Sequence, residues 1–267
     1  MSKETMIITM VCNKGGVGRS TTTINVGWKL ADLGYKTLII DLDAQCNTSM
    51  TISKNYVDDI VKSEKNLTEC ISDENGCFFD YKVNTRHSNL DLLGATILLD
   101  ETEENMKQQA IPTHVLQSKL DDESLDYYDF ILFDTPPSKH SKLLHNALVL
   151  SNYYWYIIGA EDIWALDARG VVDKVVESIR RLNKKLQPLP VLLTKYRSNV
   201  LQCQIMKETC NEQFSNLSGV FKTTIRFTTQ ISRSESKRMS IFEYNQKQKV
   251  AEDYLNLTKE MISYINQ

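Results

Sequence analysis

Asn13-Lys14-Gly15-Gly16-Val17-Gly18-Arg19-Ser20-Thr21 stands between an apolar run and an amphipathic one, and its three glycines let backbone N–H groups close around phosphate oxygens. The run before it, residues 6–12 (MIITMVC), has the length and composition of a buried parallel strand. Residues 20–33 then place Ile24, Trp28, Leu30 and Leu33 at helical spacing, and Gly34 stands where a helix ends with positive φ. Strand, glycine-rich turn and helix together form a phosphate cradle. The strict pattern G-x-x-x-x-G-K-[ST] fails at two positions, because Asn13 holds the place of the first glycine and Arg19 that of the lysine.

Two more strands end on carboxylates. Residues 37–41 (TLIID) lead into Asp41-Leu42-Asp43-Ala44-Gln45-Cys46-Asn47, and residues 130–134 (FILFD) lead into Asp134-Thr135-Pro136-Pro137. A carboxylate at a strand's C-terminal end can sit beside a bound metal or direct a water. Residues 90–94, 154–159 and 191–194 read as further core strands, with helices between them, the clearest over 163–186 with apolar positions Ile163, Leu166, Val171, Val175 and Ile179. Residues 47–88 read as short helices and loops. Past Val220 the pattern shortens to a strand at 220–225, a polar helical stretch, an edge strand at 240–244 and a closing helix at 250–265. Alternating strands and helices predict an α/β fold: a mostly parallel twisted sheet flanked by helices on both faces. No Pro/Gly/Ser-rich linker divides the 267 residues, so a single domain over 1–267 is expected.

The loop K-G-G-x-G-[K]-[ST] is the deviant Walker A motif of the ParA/MinD class, and residues 14–20 resemble it at every position except Arg19. Asp41-Leu42-Asp43-Ala44-Gln45 resembles the D-x-D-P-Q motif of the same family, with Ala44 for proline, and the strand ending at Asp134 resembles its Walker B element. The similarity to ParA-type partition proteins runs from residue 6 to about 262, weakest between 47 and 125. It implies an ATPase with ATP and Mg²⁺ as cofactors. Lys14 would reach across a homodimer to the partner's phosphates. Gly15, Gly16, Val17, Gly18, Arg19, Ser20 and Thr21 would hold the nucleotide, with Thr194 and Lys195 at the base. Ser20, Asp41 and Asp134 would serve the metal, and Asp43 would orient the hydrolytic water. The resemblance also implies sequence-independent DNA binding by the ATP dimer, a ParB-like adaptor, and a plasmid or chromosome as cargo. A protein organelle as cargo, or a nucleotide-binding scaffold with little turnover, are the alternatives. Arg19 bears on the last: its planar fork keeps the charge but not the compactness of a lysine ammonium, so binding should survive better than catalysis.

A cytoplasmic protein is expected from the sequence features, and the resemblance implies that it is nucleoid-associated. The formal charge of −3 excludes a uniformly basic surface, so DNA would need a local patch. Residues 174–197 carry Lys174, Arg180, Arg181, Lys184, Lys185, Lys195 and Arg197 against Glu177 alone, and residues 226–249 carry Arg226, Arg233, Lys237, Arg238, Lys247 and Lys249 against Glu235 and Glu243. From these, Lys195, Arg197, Arg226, Arg233, Lys237 and Arg238 are the candidate DNA contacts, with Arg226 foremost. The mixed-charge start is unlike a secretory signal, no run reaches the roughly 18 apolar residues of a span, and the final helix lacks basic amphipathic character, so no membrane role is expected. The six cysteines have no paired spacing, which speaks against a disulfide framework, a zinc site or an iron–sulfur cluster.

Overall fold

The chain is described by a computed structural model covering residues 4–12, 14–108, 111–138, 140–162 and 169–267. In chain order the elements are β1 (Met6–Val11), α1 (Arg19–Asp32), β2 (Thr37–Asp41), α2 (Asn47–Ile52), α3 (Leu67–Ser72), α4 (Phe78–Tyr81), β3 (Val83–Asn84), β4 (Leu90–Leu93), α5 (Leu99–Met106), α6 (Asp122–Tyr127), β5 (Phe130–Asp134), α7 (Lys142–Leu150), β6 (Tyr153–Gly159), α8 (Arg169–Arg180), β7 (Gln187–Pro188), β8 (Leu192–Thr194), α9 (Leu201–Phe214), α10 (Thr229–Ser236), α11 (Ile241–Asn245) and α12 (Lys249–Ile265). A π-helical turn at Val57–Lys62 and a 3₁₀ turn at Gln117–Lys119 complete them.

The strands join in the order β3-β4-β2-β5-β1-β6-β7, with β8 following β7 along the outer side of β6. Every pairing is parallel except β3 with β4. Strands covered on both faces should be apolar throughout, and β2, β4 and β5 are buried at every position. Alternate residues face opposite layers. Ile8, Met10, Ile39, Leu132 and Trp155 pack under α1 and α12, whereas Ile7, Leu38, Ile40, Ile131 and Phe133 pack under α3, α5 and α7. A third cluster sets Tyr154, Tyr156 and Ile158 against α8 and α9. Pro188 and Pro190 bring no N–H to the ladder, and here the pairing with β6 breaks and resumes one residue out of register.

Gly34 takes the left-handed φ of 94° expected of it and ends α1. Three expectations change. The start of the helix assigned to 163–186 lies outside the described residues; the helix ends at Arg180 and buries Val172, Val176 and Ile179. Beyond it Asn183 Nδ2 donates to the carbonyls of Leu148 and Ser151, holding residues 181–186 as a turn. Residues 220–225 form no strand: they run alongside β8 through isolated bridges, such as Val191 with Val220, and the Ile225 N–H bond to the Leu193 carbonyl. Residues 240–244, expected as an edge strand, are a helical turn. Ser240 Oγ accepts from the Glu243 amide at 3.1 Å while Glu243 Oε2 accepts from the Ser240 amide at 2.9 Å. That capping box satisfies two helix-end donors at once and outweighs the local β propensity of Ile241 and Phe242.

Candidate functional site

The loop after β1 sits where strand order reverses, with β5 on one side of β1 and β6 on the other, the usual ligand position in open α/β sheets. Gly18 adopts φ 86° and ψ 25°, a left-handed turn that a Cβ would strain, and caps α1 with no side chain. The first-turn amides of α1 are therefore open to an anion. Thr194, at the end of β8, donates its hydroxyl to the Val17 carbonyl at 2.5 Å and to the Ile158 carbonyl at 3.2 Å, fastening the loop to the sheet edge. All ten expected nucleotide residues, Lys14 to Thr21 with Thr194 and Lys195, line one cavity of about 600 Å³, and Asp43 joins them. Residues 225–235 and α12 add a mixed wall, with Ile225, Phe227, Ile231 and Tyr254 beside Arg226, Thr228, Ser232 and Glu235.

Beneath the loop lie the three aspartates. Asp41 and Asp134 are register partners on adjacent strands, both fully buried. Asp41 accepts from the Ser49 amide (2.9 Å), the Ser49 hydroxyl (2.7 Å) and the Asp43 amide (3.1 Å). Burial and the neighbouring Asp134 charge raise its pKa. Asp41 thus anchors the start of α2. Asp134 accepts from the Thr48 hydroxyl at 2.6 Å. Asp43 accepts from the Gln45 amide at 3.0 Å, and burial pushes its carboxyl up despite the cation beside it.

That cation is Arg19. Its Nε donates to Asp134 Oδ1 at 3.0 Å, its Nη2 to Asp43 Oδ2 at 3.0 Å and its Nη1 to Cys12 Sγ at 3.1 Å, leaving it 7% exposed. Burial opposes the charge, but Asp134, Cys12 and Asp43 outweigh it and hold the guanidinium above the ordinary arginine range. Lys14 faces the other way. Its side chain is 55% exposed at the rim and its Nζ lies 2.7 Å from Asp162 Oδ2. Of the residues expected to serve the metal, Ser20 lines the cavity, while Asp41 and Asp134 are fully buried and Asp43 lines the cavity beside them; all carry the hard oxygen atoms that Mg²⁺ takes.

Comparison with known proteins fits this geometry. The family described as "AAA domain" matches residues 5–188. Sporulation initiation inhibitor protein Soj of Bacillus subtilis is 30% identical over 96% of this chain and 97% of its own length, and chromosome partitioning protein ParA of Caulobacter vibrioides is 29% identical over 98% and 96%. The chain belongs to the ParA-type partition ATPases. A putative plasmid partition protein of Borrelia burgdorferi, solved with AMPPNP, superposes with a TM-score of 0.75 at 25% identity, covering 98% of each chain. Two further structures of this fold carry ADP and an ATP analogue, each with magnesium.

In this ParA-type chain the expected DNA residues are spread over the cavity wall, α10 and a second cavity. Lys195 and Arg226 line the nucleotide cavity. Arg197 lies over the Phe227 ring at 3.8 Å, and Lys195 and Arg197 approach Glu161 at 3.8 and 3.9 Å. Arg233 is on α10, and Lys237 and Arg238 border a second cavity of about 320 Å³ with Lys54 and Arg86. Arg226 spends its fork on Asp253 of α12, through Nε–Oδ2 and Nη2–Oδ1 contacts of 2.6 Å each. The fork uses Nε and Nη2 and leaves Nη1 on an exposed side chain, so Arg226 can reach a phosphate only while it also holds Asp253. An Arg226→Ala protein is expected to melt a few degrees lower, since Asp253 would keep its buried position without its partner. An unchanged melting curve in calorimetry would show the pair to be idle.

Several site residues escaped the sequence reading: Thr48 and Ser49 on the carboxylates, Asp162 on Lys14, and Glu235, whose Oε1 accepts from the Thr21 hydroxyl at 2.6 Å. Thr48 and Ser49 follow the D-x-D motif at a helix start and carried a usable signal. Asp162 and Glu235 carried none.

Proposed function

We propose that this chain binds ATP with Mg²⁺, dimerises across the nucleotide, binds DNA without sequence preference in that state, and moves a plasmid or chromosome with a ParB-like adaptor. The observation that carries the reading is the convergence of residues 14–21, Asp43 and Thr194 on one cavity, with Lys14 at its open rim. Loop amides and the α1 N-terminus would hold the phosphates, and Thr194 and Lys195 the base end. Ser20, Asp43 and Asp134 would hold Mg²⁺, which neutralises phosphate charge when bound. Asp43 would orient the attacking water. Asp41 would act one step back, through Ser49 and α2. A scaffold with little turnover is the second reading, favoured by the engagement of Arg19 with both carboxylates.

For DNA, the exposed cations Arg233, Lys237 and Arg238 are the stronger candidates, because Arg226 is held by Asp253. Replacing all three with alanine should weaken binding of the ATP-bound protein to every duplex alike and flatten the slope of log affinity against log salt by about 0.9 for each phosphate no longer neutralised. Fluorescence anisotropy over a salt series checks this. A triple variant with the parent's slope would move the DNA surface elsewhere. No helix among the described residues is long and apolar enough to cross a membrane.

A further inference from the structure

Every carboxylate oxygen of Asp43 and Asp134 accepts a hydrogen bond from within the chain. On Asp134, Oδ1 accepts from Arg19 Nε at 3.0 Å and lies 3.5 Å from the Thr23 hydroxyl, while Oδ2 accepts from Thr48 at 2.6 Å. On Asp43, Oδ2 accepts from Arg19 Nη2 at 3.0 Å and Oδ1 from the Gln45 amide at 3.0 Å. Each carboxylate oxygen thus has a donor, and among the described residues the cation bonded to both groups is Arg19. Its guanidinium is rigid and planar and reaches the two carboxylates through different nitrogens, Nε to Asp134 and Nη2 to Asp43. A divalent ion drawn to the same oxygens would have to take Arg19's place.

We propose that Arg19 is the resident counter-cation of the divalent-metal site, closing it to free metal until nucleotide phosphates draw the guanidinium away. The inference rests on the reading of Asp43 and Asp134 as metal residues. Arg19 is the first residue of α1, with its backbone in the phosphate cradle and its side chain directed to the carboxylates below. An incoming triphosphate gives the guanidinium a competing set of anionic oxygens on the cradle side. Transfer of Arg19 to those oxygens uncovers Asp43 and Asp134 at the moment the phosphates need a metal. Metal entry becomes conditional on nucleotide, and the negative charge of the carboxylates is never left bare in between.

Mn²⁺ binding, read by the loss of the free-ion EPR signal, tests this without recourse to turnover. Nucleotide-free parent should bind Mn²⁺ at least tenfold more weakly than nucleotide-free Arg19→Ala, and adding Asp134→Asn to that variant should abolish the gain. Arg19→Gln, which keeps bulk and a donor while losing charge, serves if the alanine protein does not fold, and should show the same direction. Equal Mn²⁺ affinity in the nucleotide-free parent and the folded Arg19 variant overturns the proposal. So does a gain that survives Asp134→Asn. A separate arm uses parent with AMPPNP, where Mn²⁺ should bind beyond what AMPPNP alone takes up. Failure of that arm overturns the metal assignment itself; success there with no gain in the variant overturns only the role of Arg19.

Discussion

An Arg19→Lys protein is expected to hydrolyse ATP about 10²-fold faster than the parent in a single turnover, a barrier change of a few kcal/mol. Phosphoryl transfer depends on positioned charge, and the parent's cation begins from a buried position bridging Asp134 and Asp43 at 3.0 Å each. Once released, the guanidinium is bulkier than an ammonium and presents its charge across a plane, so it matches the cradle less well. Nucleotide affinity should change little, since the charge is kept. Rapid-quench measurement at saturating ATP, with both proteins assayed side by side, separates binding from chemistry. Rates within about twofold of one another would remove Arg19 as a brake.

Replacing Lys14 with alanine is expected to abolish ATP-dependent dimerisation while leaving monomer nucleotide binding nearly intact. Among the described residues Lys14 leans outward and pairs with Asp162 at 2.7 Å on a half-exposed edge. A bridge of that kind is worth at most about 1 kcal/mol, so exchange for a triphosphate on a second subunit is energetically easy. An isologous pair would place each lysine on the other's nucleotide. Without it, two polyphosphates would face one another across the interface with less positive charge between them. Sedimentation velocity with AMPPNP reads the result directly. A Lys14→Ala protein that still sediments as a dimer would rule out the cross-subunit role.

Much of this architecture was legible in the residues. Runs such as MIITMVC, TLIID and FILFD are apolar because strands in a covered parallel sheet are buried on both faces, and each forms a strand where its composition places one. Glycines at 15, 16 and 18 disclosed the cradle because only a loop of that kind brings amides close to an anion. Where the reading failed, two local tendencies competed. Ser240-Ile241-Phe242-Glu243-Tyr244 has strand-like residues inside a capping box, and the paired hydrogen bonds of the box prevailed. Residues 220–225 have strand composition, yet beside β8 they form no continuous ladder, only the Val191–Val220 bridge and single bonds such as Ile225 N–H to the Leu193 carbonyl.

The amino-acid sequence alone determined the α/β class and the order of phosphate loop, D-x-D and terminal-Asp strand. These depend on residues a few positions apart, whose apolar spacing and backbone freedom act locally. Tertiary structure alone decided that Arg19 turns down to Asp43 and Asp134, that Lys14 rests on Asp162, and that Arg226 is held by Asp253. A cation's type shows in the sequence, but its partner is chosen by which carboxylate the fold brings within about 3 Å, and at that range Coulomb attraction and hydrogen bonding outweigh any preference written along the chain.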